Sequence, residues 1–238
     1  MTQMRDLTVA TYNIHKGVGT DRRRDPGRIA AVIAELRADI LALQEVDSRV
    51  GPRTGLLDLS RLASEAGLTP VPMQGVGPAH GWHGNLLMLR DMQVLDVQQI
   101  NLPGFEPRGA VITDLTVAGQ PLRVVNAHLG LLATSRAAQV RSVLARLDAM
   151  PPCATLLMGD LNEWRNTALA MRLLAGRFAI APTAASFPSR YPVLRLDRIM
   201  SQGGAVLRGA APHVSPLSRR ASDHMPVVAR LHISNEPL

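Results

Sequence analysis

Nine polar residues stand where apolar runs end: Asn13, Glu45, Asn85, His128, Asp160, Asn162, Asp197, Asp223 and His224. The set is rich in carboxylate and carboxamide oxygens, holds two imidazoles and contains no thiolate. Hard oxygen donors suit Mg²⁺ or Mn²⁺ better than zinc. Mg²⁺ keeps waters and takes one or two carboxylates, so a Glu with an Asp or Asn is enough to hold it. The pattern is clearest in Leu156-Leu157-Met158-Gly159-Asp160-Leu161-Asn162. Apolar residues run into a glycine, and Asp160 and Asn162 follow with one apolar residue between them. On an extended chain those two side chains point the same way. A carboxylate and a carboxamide on one face can hold an ion or a water.

Each position also has an ordinary reading. The Gly159 stretch fits an Asx turn that ends a strand. Asp197 could pair with Arg195 or Arg198, and His128 could be a hydrogen-bonded core histidine. Asn13 and Asn85 could be turn residues, and Asp223-His224 a cap beside a surface group. All of these would have to hold at once. His15, His80, His83, His213 and His232 take the ordinary reading, as does the loop charge of Arg22 to Arg24 and Arg219-Arg220.

The elements that must position the polar set follow from periodicity. Residues 7–14 alternate as a strand. Asp25-Pro26 opens a helix, with Asp as cap and Pro at its first position, and Ile29, Val32, Ile33 and Leu36 give it a core stripe. Residues 39–46 form a continuous apolar run ending in Gln44-Glu45, as in strands covered on both faces. A second helix is expected over 55–67, closed by Gly67. Strands follow over 84–90, 94–101, 108–117 and 122–128, with Gly119-Gln120 as a hairpin turn. A helix spans 134–147, capped by Thr134 or Ser135, and a short one spans 166–174. Residues 193–200 read as a strand with Asp197 inside it. Residues 203–220 read as loop with at most one short strand, and 225–233 as the closing strand. Strand, polar pair and helix recur in both halves. Two mixed sheets packed face to face, with helices outside, place these strand ends on one rim, where ligands usually sit.

The 238 residues contain 46% hydrophobic side chains, ample for a core, and show no compositional break, so one domain over 1–238 is expected. The single Cys153 excludes internal disulfides and a cysteine-built zinc site. No apolar run is long enough to span a membrane, and no signal peptide is evident, so a cytoplasmic location is expected. The net charge of +7 and pI near 11.0 suit a partner carrying phosphates. Lys16 is the one lysine, so nearly all of that charge is arginine. Aromatics at 3% do not suit a stacking platform for single-stranded nucleic acid.

Seven pieces then resemble the endonuclease/exonuclease/phosphatase superfamily of deoxyribonuclease-like phosphoesterases, in the family order. They are Thr11-Tyr12-Asn13-Ile14, Leu43-Gln44-Glu45, Gly84-Asn85, Asn126-Ala127-His128-Leu129, Gly159-Asp160-Leu161-Asn162, Leu196-Asp197-Arg198-Ile199 and Ser222-Asp223-His224. The resemblance implies a four-layer α/β/β/α sandwich and hydrolysis of a phosphate ester, in a compact bacterial-type member. It makes Glu45 the main ligand of a Mg²⁺ or Mn²⁺ ion, with Asn13 and Asp223 as helpers. Asp160 would orient or deprotonate the attacking water, and Asn162 would position the phosphate. His224 would contact the phosphate, its tautomer fixed by Asp197, and His128 would be the second family histidine. Asn85 and Arg108 would bind substrate. A phosphodiester in nucleic acid or in a phospholipid head group is the expected substrate, with no obligate protein partner. His15 stands where abasic-site endonucleases carry an acid, no cleft tyrosine is found, and the basic motifs of inositol phosphatases are missing. A catalytically silent module that binds a phosphate ligand is the alternative.

Overall fold

In the first strand, β1 (Leu7–Asn13), every residue is buried, so both of its faces are covered. Leu7 and Val9 enter one apolar core, and Ala10 and Tyr12 enter another. That division runs through the whole chain. The computed structural model describes residues 6–48 and 51–233.

Two six-stranded sheets pack face to face. The first has the order β11 (Ala205–Pro212), β12 (Val227–Ile233), β1, β2 (Ile40–Gln44), β4 (Leu86–Leu89), β3 (Thr69–Pro70). The second has the order β5 (Gln93–Leu102), β6 (Arg108–Val117), β7 (Gln120–His128), β8 (Thr155–Asp160), β10 (Asp197–Gln202), β9 (Ala179–Ile180). Each sheet contains one parallel pair, and its other pairs are antiparallel. In the first sheet β1 and β2 are joined through α1 (Pro26–Leu36), and in the second β7 and β8 through α3 (Ala133–Asp148). Helix α2 (Leu59–Ala66) packs on α1, and α4 (Leu169–Ala175) packs on α3. Between the sheets Val9, Ile40, Ala42 and Leu87 meet Leu122, Val124, Leu156, Met158 and Ile199. Outside, Tyr12, Leu41 and Leu43 pack under α1 and α2, while Val125, Leu157 and Met200 pack under α3 and α4. The four-layer sandwich is therefore the one the sequence leads to.

Local details depart from the sequence reading. Helix α2 starts at Leu59, not at residue 55, because the Asp58 side chain caps it by accepting from Arg61 N at 2.9 Å. The hairpin turn is Ala118-Gly119, one residue early, with φ of 49° and 83°, as a two-residue right-twisting turn requires. Neither Thr134 nor Ser135 caps α3; both lie in its first turn, and Leu132 stands at the cap with no side-chain bond. Strand β10 begins at Asp197, not at residue 193, because Leu194 folds back and exchanges backbone bonds with Phe187. The 203–220 segment is more ordered than expected, holding the eight-residue β11 and a short α5 (Ser218–Ala221). Among the described residues, no helix is long and apolar enough to cross a membrane.

Register sets up the rim. His128 on β7 lies beside Asp160 on β8, which lies beside Asp197 on β10. That row depends on Gly159. An added Cβ there would stand 1.8 Å from the Ala127 carbonyl oxygen of the neighbouring strand. Gly159→Ala is expected to destabilise the protein by on the order of 3 kcal/mol, the upper range for overpacking. The check is urea or thermal unfolding; an unchanged midpoint would mean that β7 and β8 can part at this point without cost.

Candidate active site at the rim between the sheets

Asn13 ends β1 in one sheet and Asp160 ends β8 in the other, and they meet. Asn13 Nδ2 donates to Asp160 Oδ2 at 2.9 Å, and Asn13 Oδ1 accepts the His15 N–H at 3.0 Å. Asp160 Oδ1 accepts the Asn162 backbone N–H at 3.0 Å. Asn162 turns with φ of 50° and donates from Nδ2 to the Leu129 carbonyl at 2.9 Å. One of its two amide N–H groups is thereby used.

Two histidines face Asp160. His224 Nδ1 donates to Asp197 Oδ2 at 2.9 Å, and its Nε2 stands 3.7 Å from Asp160 Oδ2. Ser186 Oγ donates to the same Asp197 oxygen, and Phe187 packs on the imidazole with ring centroids 4.7 Å apart. Burial alone would lower the His224 pKa. The charges of Asp197 and Asp160 and the Asp197 hydrogen bond outweigh it and push the pKa up to about 10. His128 behaves oppositely. Burial chiefly, with the Arg108 charge helping and Asp160 opposing, brings its pKa down to about 4. Arg108 Nη1 lies 3.1 Å from His128 Nδ1. A guanidinium can only donate, so Nδ1 is the acceptor and the His128 proton sits on Nε2, 3.5 Å from Asp160 Oδ2. Near neutral pH both histidines therefore present an N–H toward one carboxylate oxygen. Their separations are at or just beyond hydrogen-bond length.

Beside this cluster lies a small pocket lined by Glu45, Lys16, Asp47, Arg53, Arg108 and His128. Glu45 sits just past β2 with φ of 59°, a left-handed conformation that costs a non-glycine residue energy and is common at functional sites. Its carboxylate is bonded by the Lys16 ammonium. Burial would raise its pKa, and the charges of His128 and Lys16 outweigh this and hold it at about 2. The position thus carries an anionic oxygen donor that already takes a cation, which fits a divalent ion. A second candidate set is Asp160, Asp197 and His224, whose ligand atoms lie within 4.8 Å of one another. There the imidazole is already proton-bonded to one carboxylate, so a cation would have to displace that proton.

The structure thus gathers Asn13, His128, Asp160, Asn162, Asp197 and His224 into one cluster, with Glu45 and Arg108 in the adjoining pocket. Asp223 stands at the opposite lip, 3.5 Å from His15 Nδ1. Asn85 faces backbone, donating to Gly109 O at 3.0 Å and Trp82 O at 3.1 Å. Asp197 pairs with the histidine and not with Arg195 or Arg198. Three contributors lay outside the sequence-derived set. Lys16 pairs Glu45, and Gln44 and Asn126 lie fully buried under the rim. Gln44 Nε2 donates to Asn126 Oδ1 at 2.9 Å, and Asn126 Nδ2 donates to Leu43 O and Leu86 O. Gln44 and Asn126 fall inside pieces that carry the family resemblance; nothing in the sequence marked Lys16 beyond its being the one lysine.

A family model described as the endonuclease/exonuclease/phosphatase family matches residues 10–224. The protein YbhP of Escherichia coli (strain K12) is 28% identical over 254 residues, covering 98% of each chain. The crystal structure of an endonuclease/exonuclease/phosphatase from Beutenbergia cavernae is 26% identical, with a TM-score of 0.73 over 97% of this chain and 72% of that one. D. rerio TDP2 complexed with single strand DNA product is 18% identical, with a TM-score of 0.68 over 95% of this chain and 98% of that one.

The opposed histidine shifts predict the pH profile of stability. His224 binds its proton more tightly when folded, so its contribution is complete below about 6.5, the unfolded value, and fades as pH rises toward about 10. His128 binds its proton less tightly when folded, so stability falls as pH drops from about 6.5 toward 4. Glu45 adds to the acid loss, between about 4.5 and 2. Unfolding free energy should peak close to pH 6.5, and His224→Asn should flatten the alkaline limb. Urea melts across pH 4 to 10 check this; a mutant that keeps the full alkaline slope would move its origin to another group.

Proposed function

The chain belongs to the endonuclease/exonuclease/phosphatase family, and on that premise we propose that it hydrolyses a phosphodiester with the help of a bound Mg²⁺ or Mn²⁺ ion. A nucleic acid or a phospholipid head group is the substrate, and water is the nucleophile. The observation that carries the reading is the line Asp197–His224–Asp160, a carboxylate, a charged imidazole and a second carboxylate at one cleft. In-line attack forms a bond from water oxygen to phosphorus and breaks the bond to the leaving alcohol. Asp160, whose carboxylate accepts from Asn13 and the Asn162 N–H, takes the proton of the water. His224, held charged by Asp197, offers its Nε2–H to the oxygen on which negative charge grows, and the neutral His128 offers a second N–H. Asn162 supplies a further donor to the phosphate. A divalent ion held by Glu45, with Asp223 and Asn13 as further donors, would polarise the phosphoryl oxygens and neutralise developing charge. Arg108 acts through His128, which it fixes in one tautomer, and lines the pocket for the substrate. The TDP2 complex with single strand DNA favours nucleic acid.

One observation favours a second reading, a module that binds phosphate ligands without turnover. Lys16 already neutralises Glu45, so the pocket has a resident cation. Titration and turnover separate the two. Mn²⁺ should bind in calorimetry, and Glu45→Gln should weaken it. Hydrolysis of bis-p-nitrophenyl phosphate, plasmid DNA, RNA or phospholipid should need the ion. Asp160→Asn and His224→Ala should each lower kcat about 10²–10⁴-fold, the usual weight of acid–base groups. A folded protein that binds no Mn²⁺ and cleaves nothing in that panel is the silent module.

A further inference from the structure

On the outer face of the second sheet an arginine is buried without an ion pair among the described residues. Arg198 follows Asp197 on β10, and strand alternation sends the two side chains to opposite faces. Asp197 goes to the catalytic cleft, and Arg198 goes under the 161–168 loop, 2% exposed. Both of its hydrogen bonds leave from Nη2, to Asn166 Oδ1 at 3.2 Å and to Trp164 O at 3.5 Å. Its Nε is buried, with no hydrogen-bond partner among the described residues. The acids whose charge reaches it are committed elsewhere. Glu163 is paired with Arg136 at 2.7 Å and with Arg165 at 3.4 Å, and Asp197 with His224. Buried charges in proteins are ordinarily paired or bound to something. Arg195 is a further charged neighbour, and burial and that like charge lower the Arg198 pKa against the opposing charges of Asp197 and Glu163.

Arg198 and Arg195 together wall a cavity of about 600 Å³, with Asn166, Ala175, Ile180 and Thr183 among its other lining residues and no carboxylate. We propose that this cavity is an anion site for a phosphate group, gripped by the two guanidiniums. Guanidinium forks match phosphate oxygens two at a time, and Asn166 and Thr183 add neutral polar groups. The site is distinct from the hydrolytic cleft, on the other face of the same strand. The loop that carries Asn162 also carries Asn166, so one short segment touches both. The phosphate is either a second one on the substrate or a free anion.

Calorimetric titration of inorganic phosphate, in EDTA, into wild-type, Arg195→Met and Arg198→Met proteins tests this. Arg195 is exposed, so its variant folds even where loss of Arg198 perturbs the sheet. One phosphate site should be weakened about tenfold or more in both variants, the weight of a charge-assisted pair. Wild-type protein that takes no phosphate, or Arg195→Met protein that takes it with unchanged stoichiometry and affinity, would overturn the site. A 5′-phosphorylated dinucleotide, titrated in the same EDTA buffer, identifies the source. If Arg195→Met weakens it about tenfold as well, the site reads the second phosphate of the substrate; if its affinity is unchanged while phosphate binding is lost, the site serves a free anion. Both readouts are binding at equilibrium, so they stand or fall independently of whether the cleft hydrolyses anything.

Discussion

Everything at the rim depends on how the two sheets are fastened to each other. Most of their shared interface is aliphatic, from Val9 and Ile40 to Leu156 and Ile199, and such contact is strong but undirected. Direction comes from hydrogen bonds that cross the gap at one end. Gln44 reaches Asn126, Asn13 reaches Asp160, and His224, on the segment leading into β12, reaches Asp197. In a dry interior such bonds are costly to break, because each would leave a buried polar atom unpaired. They fix the sliding position that the apolar layer leaves open. The chemistry-bearing residues are therefore also the fasteners, and the site forms only when the sandwich is in register.

The two histidines show how little sequence it takes to make one residue type do opposite things. Both are buried, and both face Asp160. The difference lies behind the ring, an aspartate for His224 and an arginine for His128. The first is kept charged and the second neutral, which pushes their pKa values apart, as in sites where two like groups take different tasks.

Much of this could be read from the chain itself. Alternation and continuous apolar runs gave the central strands, and a polar residue at the end of each run gave His128, Asp160, Asp197 and His224 as candidates. The Asp-capped helix start was legible at Asp25 and missed at Asp58, and a cap was misplaced on α3, where Leu132 makes no side-chain bond. What periodicity misses is partnership across the fold. Lys16 sits 29 positions from Glu45, and Gln44 sits 82 from Asn126. No local pattern encodes either pairing. The ordinary alternative for Asp197 was a pairing with Arg195 or Arg198, yet alternation on the strand puts Asp197 and Arg198 on opposite faces. The late start of β10 has a similar cause, since a local fold-back between Phe187 and Leu194 outcompetes an apolar stretch that would otherwise pair.

The place of β12 in the first sheet carries a consequence for synthesis. This strand lies between β11 and β1, so the first described strand pairs on that side with the last described one. His224 is delivered just before it. A ribosome must therefore translate every other rim residue before the histidine that completes the cleft, and β1 keeps an unsatisfied edge until then. A nascent or prematurely terminated chain holds Glu45, Asp160 and Asp197 but lacks the charged imidazole. The cleft is complete only with the closing of the sheet, and a half-made chain is kept without it by its own topology.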